Sequence, residues 1–129
     1  MPRKVSRKNL IKKLDSVFSL YIRRRHAKND IAQCYTCGKK DHYKKLQNGH
    51  FMSRKSYATR WDETNCQVQC VKCNMFEQGM SYVFGLNLNK QFGEGTAEAL
   101  LRKSKEILKL SNDEVISLIT KYENKLNNL

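Results

Sequence analysis

The sequence predicts an α+β fold, mainly helical. Apolar residues recur at three-and-four spacing from Asn9 to about Lys28 and again through the C-terminal third, the signature of helices with one buried face. Two Cys-x-x-Cys pairs, Cys34/Cys37 and Cys70/Cys73, bracket the middle of the chain, where that periodicity gives way to strand and turn. At 129 residues the chain reads as a single domain, 1–129, with an N-terminal basic helix (1–30), a cysteine-stapled core (31–79) and C-terminal helices (80–129).

In the first helix Leu10, Ile11, Leu14, Val17, Phe18, Tyr21 and Ile22 fall on one face. Lys12, Lys13, Arg23, Arg24 and Arg25 are then expected to look outward. Gly38 follows the first cysteine pair, and a short strand is expected from Lys45 to Phe51. Met52 to Glu63, rich in Ser, Thr, Arg and aromatics, reads as a functional surface loop. A short helix is expected from Val71 through Asn74 to Gln78, ended by Gly79. Ser81 is a candidate cap for a helix ending near Gly93, and Thr96 for a second through Leu110. Ser111 and Glu114 form a capping-box signature for a last helix to about Leu126, with Val115, Ile116, Leu118, Ile119, Tyr122 and Leu126 as its buried stripe. No internal repeat is present, and the sole proline is Pro2.

Lys and Arg total 25 against 12 Asp and Glu, a formal charge of +13 carried mostly by the N-terminal two thirds. A polyanionic partner follows. Nucleic acid is favoured over a membrane, because no stretch approaches a transmembrane span and "MPRKVSRKNLIKKL" has no uninterrupted apolar segment of the signal-peptide kind. A soluble, intracellular protein is expected.

Five cysteines, an odd number, do not make a closed disulfide framework. A Cys-x-x-Cys turn delivers two thiolates to one ion, and two such turns complete a tetrahedral zinc shell with no position left for substrate. Cys34, Cys37, Cys70 and Cys73 are therefore expected to hold a structural zinc. A redox dithiol is the rival reading of either pair alone. Residues 38–69, lying between the pairs, are more than a compact zinc ribbon requires, so a segment is inserted there. Cys66 reads as a small buried thiol.

That insert and its flank carry His50 in "LQNGHF", Asn65 in "DETNC", and Asn74 directly after the second pair. This order resembles the HNH nucleases, whose ββα-metal motif places a histidine on a strand, an asparagine before the helix and a last histidine or asparagine on it. "LDSVFSLYIRRR", "CYTCG", "GHFMSR", "TRWDETNCQVQC" and "KCN", followed by "YVFGLNLNKQFGEG", are together similar to the NinG/Rap recombination proteins of lambdoid phages, over nearly the whole chain. The resemblance implies a zinc-stapled ββα-metal motif flanked by the N-terminal helix and the C-terminal helical region. It further implies a metal-dependent endonuclease that cleaves branched DNA, such as Holliday junctions and D-loops, in the cytoplasm of a bacterial host.

Carried over residue by residue, the resemblance makes His50 the general base and Asn65 the residue that secures the loop and orients the histidine. Asn74 becomes a ligand, through its hard carbonyl oxygen, for a catalytic magnesium or manganese ion. The sequence departs from the commoner HNH pattern at Gly49, where many members carry a second metal ligand. Asp62 is the candidate for that missing carboxylate, with Glu77 behind it. Arg54 and Arg60 are candidates for gripping phosphate bidentately. Arg23, Arg24 and Arg25, with Lys12 and Lys13, are expected to position the duplex. His42 and His26 read as solvated. Two cuts in a four-way junction point to a homodimer, for which the last two helices are candidates. The rival functions are a non-catalytic, zinc-stabilised DNA-binding protein and an HNH nuclease for unbranched duplex.

Overall fold

A computed structural model describes residues 5–129; Pro2 and the first residues of the basic N-terminal segment lie outside them. The chain opens with α1 (Arg7–Arg24), capped by Ser6, whose hydroxyl accepts from Asn9 N at 3.2 Å. It starts earlier and stops sooner than the periodicity suggests, because after Arg25 the chain turns into a hairpin of β1 (Ile31–Gln33) and β2 (Lys40–His42). A 3₁₀ turn, Tyr43–Lys45, leads into β3 (Leu46–His50), which pairs antiparallel with β4 (Cys66–Cys70). Between them α2 (Tyr57–Arg60) adds a helical turn to the stretch expected to be loop.

After β4 the chain winds as a π turn, Lys72–Phe76, and then a 3₁₀ turn, Gln78–Met80. Gly79, at φ +77°, breaks the winding where the sequence placed the break. The C-terminal region holds α3 (Ser81–Phe92), α4 (Thr96–Ser104) and α5 (Asn112–Asn127). Ser81 and Thr96 are first helical residues rather than caps; Met80 and Gly95, both left-handed, occupy the cap positions. The α4 helix ends six residues short of Leu110, and Ile107 in the segment beyond it is 89% exposed, so no buried face sustains further winding. The Ser111/Glu114 capping box is present in full. Ile116, expected to be buried, is exposed, while Val115, Ile119 and Tyr122 form the contact face.

Three apolar clusters hold these elements. In the first, Leu10, Leu14, Phe18 and Ile22 of α1 pack against Val115, Ile119 and Tyr122 of α5, with Trp61 and Cys66 at one side. Full burial of side chains such as Leu14 and Phe18 stabilises by about 1.5–3 kcal/mol each. Phe18 and Tyr122 meet edge to face at 4.8 Å. The second joins Ala32, Leu46 and Val68 to Cys34, Cys70 and Cys73, and the third pairs Phe84 and Leu88 of α3 with Leu100 of α4. Among the described residues no helix is long and apolar enough to cross a membrane.

The β3–β4 ladder explains Gly49. A Cβ there would lie 2.0 Å from Gln69 Oε1. The Gln69 side chain is fully buried and its amide donates to Thr36 Oγ1 and the Gly79 carbonyl, at 3.0 and 2.9 Å. It cannot move aside without losing both bonds. Gly49→Ala is therefore expected to destabilise the fold by roughly 1–3 kcal/mol through overpacking, read as a lower urea midpoint; a variant as stable as wild type would contradict this packing.

Candidate functional site

His50 closes β3. Its Nε2 lies 2.9 Å from the Arg60 carbonyl oxygen; a carbonyl only accepts, so Nε2 carries the hydrogen and Nδ1 keeps its lone pair. Burial disfavours the imidazolium most, and the charges of Arg54 and Arg60 add to it. The Arg60 carbonyl and Asp15 offset this only in part, so the ring titrates below its usual range and is neutral at pH 7.

Asn65 is completely buried, and its side chain makes no hydrogen bond to His50. Its Nδ2 donates to the carbonyls of Met52 and Thr59, at 3.1 and 3.0 Å, and its Oδ1 accepts from Met52 N at 2.8 Å. The carboxamide thus ties both ends of the 52–59 segment, next to the Arg60 carbonyl that holds the histidine. Cys66 faces His50 across the ladder, and its thiol, pushed far up by burial, donates to the same carbonyl at 3.4 Å.

Asn74 sits on the π turn, where its Nδ2 donates to Gln47 Oε1 at 2.8 Å. This fixes the amide and leaves its carbonyl oxygen without a donor among the described residues. His50 and Asn74 line one open cleft of about 350 Å³, walled by Ser16, Ser19 and Arg23 of α1 and reaching Asp15, Asn48 and Arg54. Lys12 extends that wall, one turn before Ser16 on the same helical face and exposed. Lys13, also exposed, is rotated about 100° away. Asn48, two residues before His50 on the same strand face, has a buried Oδ1 with no partner among the described residues.

The structure separates other expected residues from this cleft. Asp62 does not line it: Oδ1 accepts from Thr64 N and Asn65 N at 2.8 and 3.2 Å, and Oδ2 pairs with Lys103 of α4. It shapes the turn that presents Asn65 and is not placed as a ligand beside Asn74. Glu77 borders a different groove, beside the cysteines. Arg25 is not an outward cation; it is largely buried, donating to the carbonyls of Glu63 and Cys66 and to Gln67 Oε1 at 2.9–3.0 Å. Arg23 is half-buried against Ser19 and the Tyr43 carbonyl, and Arg24 lies over the Tyr43 ring.

The acid that does reach the cleft is Asp15, which the sequence reading passed over. Its Oδ1 accepts from Arg60 Nε at 3.0 Å and Trp61 Nε1 at 2.9 Å, and its Oδ2 takes Arg60 Nη2 and Arg54 Nη2. Four donors saturate the carboxylate, so it has no lone pair to spare for a cation. They also occupy the fork of Arg60, whereas Arg54, 59% exposed, keeps its outer edge in solvent. The signal for Asp15 was visible: it is the sole acid of α1, one residue beyond the buried Leu14.

Burial pushes the Asp15 carboxyl up, but hydrogen bonds and charge from Arg60, Trp61 and Arg54 outweigh it and hold it below the usual carboxylate range. Its contribution is therefore present above that range and lost as pH falls through the folded value. Asp15→Asn is expected to lose roughly 1–3 kcal/mol at pH 7, with the gap to wild type closing below about pH 4. Urea unfolding across pH 2–7 reads this, and a gap constant to pH 2 would refute it.

The four cysteines Cys34, Cys37, Cys70 and Cys73 bring their sulfurs within 4.8 Å of one another, so they could hold a metal ion. The Cys37 and Cys70 sulfurs are 3.7 Å apart, too far for a disulfide and close to the edge of about 3.8 Å of a tetrahedron with zinc–sulfur bonds of about 2.3 Å. Burial opposes the Cys34 thiolate, yet the backbone N–H groups of Cys37 and Cys70 and the Thr36 hydroxyl bring that thiol down to about 6.

The fold thus sets four clustered thiols at one end of a hairpin and a neutral imidazole, oriented by a pinned loop, at the other. No curated protein and no solved structure matches the chain. A family model described as the Bacteriophage Lambda NinG protein matches residues 3–129, from the basic N-terminus to the last residue of the sequence, and the chain belongs to that family.

Proposed function

We propose that this protein is a metal-dependent DNA endonuclease of the HNH kind, selective for branched DNA in phage recombination and acting in the cytoplasm of the bacterial host. One observation carries the reading: a neutral histidine and an asparagine whose Nδ1 and carbonyl oxygen, respectively, have no partner among the described residues share one cleft in a chain of charge +13. The strand–strand–turn order that presents them agrees with the resemblance of the sequence to HNH nucleases.

In the proposed reaction His50 Nδ1 accepts a proton from water as its oxygen bonds to the phosphorus. The bond to the 3′ oxygen breaks, and that oxygen leaves with a proton from solvent. A magnesium or manganese ion held by Asn74 and substrate phosphate would supply charge stabilisation at the phosphoryl oxygens and the leaving oxygen. Asn65 positions His50 through the loop it pins. Lys12, Arg23 and the open edge of Arg54 suit the flanking phosphates. Zinc on the four thiolates would fix the start of the π turn and thereby aim Asn74.

A non-catalytic, zinc-stabilised DNA-binding protein is the second reading. The saturation of Asp15 favours it, because the one carboxylate among the residues lining the cleft is then not free to join Asn74 on a cation.

One assay separates the two. Labelled four-way junctions, flaps and linear duplex are incubated with zinc-loaded protein and magnesium, manganese or neither of the two. Wild type is expected to nick branched DNA only with magnesium or manganese, and His50→Ala to lose at least about 100-fold in rate while binding survives. The base must be unprotonated, so the rate is expected to rise through the His50 pKa, below the usual histidine range, and to level off by pH 7. No nicking of any substrate by wild type, or equal nicking by His50→Ala, would remove the enzymatic reading. For the zinc, His50→Ala is expected to keep the metal by atomic absorption and Cys70→Ser to lose both metal and helical circular dichroism. A folded, metal-free Cys70→Ser protein would contradict the clamp.

A further inference from the structure

The turn that carries Asn74 ends in side chains that the described fold leaves uncovered. Phe76 is 76% exposed and Met75 63%, and just beyond, on α3, Tyr82 is 79% exposed with Leu86, one turn on, at 50%. Phe84, Gly85 and Leu88 supply the buried side of α3, so packing does not account for these rings. Their surroundings are basic on balance: the exposed Lys39, Lys45 and Lys72 outnumber Asp41 and Glu77 in a groove along the same turn that Met80 also lines.

Exposed rings beside lysines call for a partner with flat apolar faces and negative charge. A second copy of the chain would bring another +13 against these lysines. An intact duplex offers phosphates but keeps its bases stacked. Unstacked bases, as at a branch point, present both the π face and the phosphate, and stacking on an aromatic side chain tolerates any base.

We propose that Phe76 and Tyr82 form a stacking platform for unstacked bases at a DNA branch, with Lys39, Lys45 and Lys72 on the adjoining phosphates. The inference rests on the reading of the protein as a DNA-binding nuclease and deepens it. Preference for branches becomes a property of the turn bearing Asn74, separate from the imidazole that would take the proton. A base seated on Phe76 would lie two residues along the chain from Asn74.

The test measures affinity for a four-way junction and for linear duplex of the same sequence, with magnesium and manganese omitted and zinc retained so that nothing is cut. A Phe76→Leu/Tyr82→Leu double variant keeps apolar bulk but loses the stacking faces. It is expected to bind the junction roughly 5- to 100-fold more weakly and the duplex within about twofold of wild type, lowering the junction-to-duplex ratio. The aromatic swap Phe76→Tyr/Tyr82→Phe is expected to keep the wild-type ratio, and circular dichroism to be the same for all three proteins. An unchanged ratio in the leucine variant overturns the platform. So does a wild-type dimer in sedimentation that the leucine variant breaks without altering the ratio, which would assign the face to a second copy. Wild type that nicks junctions beside an unchanged ratio sinks this inference alone, whereas wild type that binds no DNA sinks the nuclease reading with it.

Discussion

The register of the β3–β4 ladder is the constraint on which the rest depends. Leu46 faces Cys70 at one end and His50 faces Cys66 at the other, with Asn48 against Val68 between them. A five-residue ladder thus fixes the distance from the cysteine cluster to the histidine. A slip of one residue would turn every side chain to the opposite face. A slip of β4 would take Cys70 out of the second apolar cluster and Cys66 out of the first, and a slip of β3 would take His50 out of the cleft wall. Gly49 guards that register from within, since only a residue without a Cβ lets the Gln69 side chain cross it. The position where the commoner HNH pattern carries a second ligand is therefore committed to packing.

Around the ladder, orientation passes through backbone carbonyls. The buried Asn65 carboxamide ties Met52 to Thr59, the adjacent Arg60 carbonyl receives both His50 and Cys66, and Asp62 caps the turn that sets Asn65 in place. The Asp15 carboxylate locks the Arg60 side chain from the other side, tying α1 to this loop. Such a network is stiff because each member is buried or half-buried with its partners matched, and an unmatched partner there would cost more than at the surface. Among the described residues the buried groups without a partner include the Ser56 and Thr59 hydroxyls of the loop, Arg25 Nε, and Asn48 Oδ1 in the cleft wall beside the residues proposed to do chemistry.

Much of the architecture was legible because it rests on local pattern. Spacing placed α1 on its buried face, the Ser111 and Glu114 pair located the start of α5, and Gly79 marked the break after the turn bearing Asn74. Errors fell where local signals compete. Ser81 and Thr96 look like caps, yet left-handed Met80 and Gly95 do the turning. In Lys105 to Leu110 only Leu110 reaches the first cluster, while Ile107 and Leu108 stay exposed, so no continuous buried face forms and the segment does not wind. Ile116 falls at helical spacing beside Val115 but outside the arc that α1 covers.

By itself the sequence determined the mainly helical α+β class, the two cysteine pairs and the strand that carries His50, because thiol spacing and hydrophobic periodicity act over a few neighbours. The single helix expected from Val71 to Gln78 is instead a π turn bearing Asn74 and a 3₁₀ turn, broken by left-handed backbone at Gln78, Gly79 and Met80. Tertiary structure alone decided which charges are free. It bound Arg60 to Asp15 across 45 positions of chain, drew Arg25 into a set of carbonyls, and turned Asp62 toward Lys103 and away from the cleft. The physical reason is that a charged side chain's partner is chosen by distance in space and by desolvation, and neither is written in the spacing of residues along the chain.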